Sequence, residues 1–265
     1  MFSFAQFALA ALVSLPLTLP VPHLAATPAT APAAPGVKNI VLVHGAFADG
    51  SSWAKVIPLL EAKGYHVTAV QNPLTSLADD VAATKRAIAL QDGPVLLVGH
   101  SWGGSVITEA GNDPKVAGLV YVAAAAPEAG QTFVDMAQAA APPLGAHSFE
   151  PDAAGFLSLT HAGALNDFAQ DLPLAERELI YATQGPWASS APTKDKISTP
   201  AWKVKPSWYI VASEDRMINP DLERTLAKHI NATTLVLKSS HVPMLSQPTS
   251  VATFIREAAE KVVVK

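Results

Sequence analysis

Residues 99–103 read Gly-His-Ser-Trp-Gly, directly behind the apolar run Pro94–Val98. Glycines on either side let a strand-to-helix turn take sharp backbone angles. Ser101 Oγ then projects above the carboxyl edge of a sheet, and the Trp102 N–H points into the same space. The bland alternative is an ordinary glycine-rich turn. A serine hydroxyl is a poor nucleophile until a base removes its proton, so the rest of the chain must supply a histidine and a carboxylate.

Eight histidines are available. His23 lies in the N-terminal leader, His66 in a strand, His147 and His161 in an insertion, and His229 late in a helix. His100 belongs to the turn itself, where packing or a hydrogen bond accounts for it. Only His44 and His241 follow strands at the edge where Ser101 is exposed, and His241 fits the chain order nucleophile, acid, histidine. A carboxylate must hold that histidine's tautomer and stabilise its imidazolium. The segment "WYIVASEDRMINP" offers Asp215, favoured because it lies further into the loop, with Glu214 as neighbour and Glu128 as a distant alternative. An oxyanion would need two N–H donors: Trp102, and Ala46 in "HGAFADGSSW", with Phe47 as the adjacent alternative.

The elements that must position these residues follow a regular order. "NIVLVHG", "YHVTAVQNP", "PVLLVG", "VAGLVYVAAAA", "SWYIVAS" and "TTLVLKS" read as strands. Between and after them lie helical patterns such as "SLADDVAATKRAIALQDG", capped by Ser76, and "SSWAKVIPLLEAKG", kinked by Pro58. The expectation is an α/β fold with a mainly parallel sheet of about six strands flanked by helices. From Pro127 to Lys205 the rhythm fails and no strand stands out, which predicts a helical cap. The domain reading is a core of 37–126 and 206–265, with 127–205 as cap or lid. Cap side chains Phe133, Met136, Phe156, Leu157, Phe168 and Trp187 offer apolar surface. Phe47, Phe133, Met136, Gln184, Trp187 and Met244 are candidate substrate-pocket residues, although core packing is the commoner use of any one of them.

Composition sets the outer bounds. With 265 residues, 49% of them hydrophobic, the chain can bury a large core. A net charge of -4 and no basic cluster argue against nucleic acid as a partner. There are no cysteines, which removes thiolate metal sites and cysteine nucleophiles. The site chemistry calls for no cofactor and no metal. Residues 1–36 pair an uncharged apolar stretch, "FALAALVSLPLTLPV", with an Ala/Pro-rich linker, which predicts a signal peptide and a periplasmic or secreted protein. No Lys or Arg precedes that stretch, which departs from the usual signal-peptide pattern and leaves a lipid-facing anchor as the alternative. The stretch is short and interrupted by Pro16 and Pro20, so no stable membrane span is expected once the leader is removed.

"VLVHGAF", "GHSWGG", "SEDRMINP" and "SSHVPMLSQP", in this order and spacing, resemble the α/β-hydrolase superfamily from about Lys38 to the C-terminus. The pieces "HGAFADGSSWAKVIPLLEAKGYHVTAV" and "HVPMLSQP" are most similar to its small esterases, the group of plant methyl esterases and hydroxynitrile lyases, and to related bacterial hydrolases. The resemblance implies Ser101 as nucleophile, Asp215 as acid, His241 as base, an oxyanion hole from Ala46 and Trp102, and a helical cap over the site. The lyases of that group carry a lysine directly after the histidine, where this chain has Val242. Haloalkane dehalogenases place Asp where this chain has Ser101. The sheet begins at the family's third strand, so the first two are absent or lie near "TPATAPAAPG". The expected activity is hydrolysis of small hydrophobic or aromatic carboxylic esters through an acyl-enzyme. The alternatives are haloperoxidase, perhydrolase or lactonase chemistry on the same triad, and a non-catalytic small-molecule binding protein.

Overall fold

A computed structural model describes residues 36–262. The leader and linker expected over 1–36 therefore lie outside the described residues, apart from Gly36. The chain enters as β1 (Asn39–Val43) and passes a 3-10 turn at Gly50–Trp53 into α1 (Ile57–Glu61) and β2 (His66–Ala69). Next come α2 (Leu77–Ala89), β3 (Val95–His100), α3 (Gly103–Ala110) and β4 (Val116–Val122). Every residue of β1 and β3 is buried, as strands covered on both faces require.

The helix expected over 51–64 is split. Pro58 cannot donate a backbone hydrogen bond, so it sits in the first turn of α1, where no donor is needed, and the residues before it form the 3-10 turn. Helix α2 starts as expected, with Ser76 Oγ accepting from Asp79 N at 3.1 Å.

The insertion contains α4 (Phe133–Ala137), β5 (Phe149–Pro151), β6 (Phe156–Leu159) and α5 (His161–Gly163). A π-helical turn at Ala164–Phe168, α6 (Leu174–Thr183), β7 (Trp187–Ala188) and α7 (Ser190–Lys194) complete it. The cap is thus not purely helical. Strands β5, β6 and β7 form a small antiparallel sheet, with Phe149 opposite Leu159 and Leu157 opposite Trp187. They are too short to show an alternating pattern in sequence.

The core then resumes with β8 (Ser207–Ala212), α8 (Pro220–His229), β9 (Thr233–Leu237), α9 (Pro243–Ser246) and α10 (Pro248–Lys261). Six parallel strands lie in the order β2-β1-β3-β4-β8-β9, the α/β arrangement expected from the sequence. The connection from β1 runs to one side of the sheet and the connection from β3 to the other. That reversal opens a crevice at the carboxyl ends of β1 and β3, the place where open α/β sheets bind ligands. Among the described residues no helix is long and apolar enough to cross a membrane.

Candidate active site

The turn from β3 into α3 holds Ser101 at φ +52, a left-handed conformation costing a non-glycine residue about 1–3 kcal/mol. Surrounding bonds hold it there: Ser101 N donates to Val122 O, and Ser101 O accepts from Gly104 N and Ala125 N. The flanking glycines are required by space. A Cβ on Gly99 would lie 2.5 Å from Gly103 O, and one on Gly103 would lie 2.6 Å from Val43 O. The motif glycines thus let the elbow fold onto its own helix and onto the end of β1.

His241, in the loop after β9, reaches Ser101 Oγ with Nε2 at 2.8 Å. Its Nδ1 lies 2.5 Å from Asp215 Oδ2, in the loop after β8. All three residues are buried. Asp215 Oδ1 is occupied separately, accepting the amides of Met217 at 2.6 Å and Ile218 at 2.9 Å. A carboxylate only accepts, so Nδ1 carries the proton and the Nε2 lone pair faces the serine hydroxyl. The rivals for the acid position are elsewhere: Glu214 is half-exposed and 3.6 Å from Lys238, and Glu128 pairs with Lys203 and His229.

The other two buried histidines near the elbow have bonds that exclude them as bases. His44 Nδ1 donates to Gly45 O, Nε2 accepts from Asn72 N at 2.9 Å, and burial lowers its pKa. His100 has the role that sequence reasoning missed. It does not bond within the turn; its Nε2 donates to the backbone carbonyl of His241 at 2.8 Å. Burial, and then the neighbouring His241, hold its pKa well below the ordinary value, so it is a neutral donor steadying the His241 loop. Its partner is 141 residues away, and no local signal announces such a bond.

Ser101, His241, Ala46 and Trp102 all line one cavity of about 600 Å³ beneath the cap. Among the described residues neither the Ala46 nor the Trp102 amide bonds to a protein acceptor. Trp102 precedes α3, where the first amides of a helix lack internal partners. The wall is aromatic. Trp187 lies 5.0 Å from Trp102 and 5.8 Å from Phe133, and Phe47 stacks on Phe149 at 5.3 Å.

The candidate pocket residues divide. Phe47, Phe133 and Trp187 line the cavity. Met136 does not, because its side chain turns into the hydrophobic core. Gln184 does not either: its amide is used up on Leu159 N, Leu159 O and Tyr181 O, tying α6 to β6. Met244 lines a second cleft of about 430 Å³ between the 3-10 turn and α6, and Phe47 and Phe168 line both spaces. On β6, strand alternation turns Leu157 toward the cavity and leaves Phe156 off it. Sequence reasoning missed Phe149, Met217 and Ile218, although the last two follow Asp215 directly.

Comparison with known proteins agrees with this architecture. The sequence model of the alpha/beta hydrolase family matches residues 40–254. A pyrethroid hydrolase of Sphingobium wenxiniae is 28% identical over 255 residues, covering 84% of this chain and 88% of that protein. Methylesterase 2 of Arabidopsis thaliana is 26% identical, with coverage of 80% and 92%. Among solved structures, a pyrethroid hydrolase from Sphingobium faniae superposes with a TM-score of 0.71 at 24% identity, over 85% of this chain and 98% of that one. Polyneuridine aldehyde esterase gives a TM-score of 0.71 at 22% identity, over 84% and 99%. The chain belongs to the alpha/beta hydrolase family.

Proposed function

We propose that this chain is a carboxylic ester hydrolase working through an acyl-enzyme on Ser101. The observation that carries the reading is the Ser101–His241–Asp215 chain, at 2.8 and 2.5 Å, opening into an aromatic cavity. The activities named for its relatives, pyrethroid hydrolase and methylesterase, support ester cleavage. Ser101 Oγ attacks the ester carbonyl as His241 Nε2 takes its proton, and Asp215 stabilises the imidazolium. The carbonyl oxygen, now negative, lies against the Ala46 and Trp102 amides. His241 then gives the proton to the leaving alcohol, and a water repeats the sequence to release the acid. The cavity suits hydrophobic or aromatic acyl groups, since its wall is built from Phe47, Phe133, Phe149 and Trp187.

Replacing Ser101 with Ala tests the reading. Turnover of p-nitrophenyl acetate and butyrate should disappear while the protein melts cooperatively, and a fluorophosphonate should label the unaltered protein at Ser101. Undiminished turnover by Ser101→Ala, or labelling at another residue, rejects the mechanism.

A further inference from the structure

Asp80 lies in the first turn of α2, has no exposed surface, and plays no part in the triad. Its neighbour Asp79 is an ordinary surface acid, bonding the Thr75 and Ser76 hydroxyls. Asp80 points inward, and each of its oxygens meets a different donor. Oδ2 accepts the Trp102 indole Nε1–H at 2.7 Å, and Oδ1 accepts Leu74 N at 2.8 Å.

Both donors lead to the active site. Trp102 follows the nucleophile and lines the cavity, and its indole stands 5.0 Å from Trp187 in the wall. Leu74 is held at φ +59, and its carbonyl accepts Ala188 N at 2.9 Å from β7, the strand that carries Trp187. One carboxylate therefore fixes the elbow's indole directly and the facing cap strand through Leu74.

No salt bridge reaches Asp80 among the described residues. The charges that face it are both negative: Asp79 on its own helix, and Asp195 at the end of α7, which accepts Leu77 N at 2.8 Å. Burial above all, together with these like charges, pushes its carboxyl up to about 6 against the pull of the Trp102 and Leu74 bonds. A buried carboxylate without a cation is an expensive way to fill space, which an apolar side chain would do better. What an apolar side chain lacks is two acceptors aimed at two separate donors.

We propose that Asp80 is a positioning residue for ester cleavage: through Trp102 it sets the oxyanion amide and, with Leu74, the Trp102–Trp187 wall of the acyl cavity. This rests on the serine-esterase reading above. Asn at position 80 is the informative replacement, because it keeps the shape but can accept from only one of the two donors. Phe at position 102 removes the indole donor from the other side.

The experiment measures Ser101 phosphonylation by a fluorophosphonate and p-nitrophenyl butyrate kinetics, per titrated active site, for wild type, Asp80→Asn, Trp102→Phe and the double variant. Each single variant should slow labelling and lower kcat roughly tenfold to a hundredfold, as small misplacements of catalytic groups do. KM should stay within about threefold, because the lost interaction belongs to the transition state. The double variant should be no slower than Trp102→Phe alone, since without the indole the single acceptor of an asparagine is free to serve Leu74 N. Wild-type rates in Asp80→Asn overturn the proposal, as do losses that multiply in the double variant. If Asp80→Asn does not fold, Trp102→Phe decides alone, and a wild-type kcat there overturns it. A wild-type protein that neither labels at Ser101 nor cleaves esters refutes the esterase reading itself, which separates that failure from this one.

Discussion

Asp215 divides its two oxygens between tasks, Oδ1 for the Met217 and Ile218 amides and Oδ2 for His241. Asparagine would keep the shape but turn an amide N–H toward Nδ1, or lose an amide bond, and favour the wrong imidazole tautomer. Asp215→Asn should therefore lower kcat by about four orders of magnitude while leaving the melting transition nearly unmoved. Steady-state kinetics on p-nitrophenyl butyrate and a thermal melt check this, and a loss under tenfold contradicts the assignment. Behind Asp215 stands Glu223, fully buried, with Oε2 accepting Ala212 N at 2.9 Å. Burial, and then the Asp215 charge, raise its carboxyl well above the usual range. Above about pH 4.3, where an unfolded glutamate ionises, the folded protein keeps its proton, so stability falls with rising pH by up to about 1.4 kcal/mol per unit until the folded value is passed. Glu223→Gln removes that penalty. Urea unfolding at pH 5 and pH 8 should show the variant gaining on wild type at the higher pH; a constant difference contradicts a neutral Glu223. The contact chain Ser101–His241–Asp215 was legible because each member follows a strand at one sheet edge. Glu223 was not, since a glutamate in "PDLERTLAKHI" reads like any solvated helix face.

At the scale of elements, the core strands and α2 could be read from sequence because long apolar runs and the Ser76 cap carry strong local signals. The cap sheet could not. Strand β7 has two residues, and its pairing with β6 brings Trp187 opposite Leu157 across a long excursion of chain. Such a strand owes its position to what it packs against, here Trp102, Phe133 and Phe47. Removing the Trp187 ring should enlarge the cavity without disturbing Ser101. In Trp187→Ala, the ratio of kcat/KM for p-nitrophenyl octanoate over acetate should rise roughly tenfold, the scale on which apolar pockets discriminate by size. An unchanged ratio would place acyl selection elsewhere in the cap.

For the molecule as a whole, the sheet reversal between β1 and β3 and the cap above it leave the substrate a limited set of directions. On the proposed mechanism the carbonyl oxygen faces Ala46 and Trp102, so the acyl group enters the aromatic cavity. The leaving oxygen then faces His241 Nε2, so the alcohol extends on the histidine's side. The residues after His241 there include Val242, Met244 and Leu245, and all three line the second cleft together with Leu179 and Thr183 of α6. That cleft meets the cavity at Phe47 and Phe168, with the Phe168 ring 5.2 Å from His241. Across it Lys55 and Glu176 form a partly exposed ion pair at 2.6 Å, a contact of the kind worth at most about 1 kcal/mol and so a weak restraint on the cap. Leu179 is largely exposed, and a larger ring in its place fills the cleft without touching the triad. In Leu179→Trp, kcat/KM for benzyl acetate should fall roughly tenfold, the cost of losing an apolar subsite for one ring. Ethyl acetate and methyl butyrate should be cleaved as before, since neither has an alcohol arm long enough to reach α6. Equal losses on all three esters would mean that the cleft is a common entrance; no loss on any would mean that the alcohol leaves by another route.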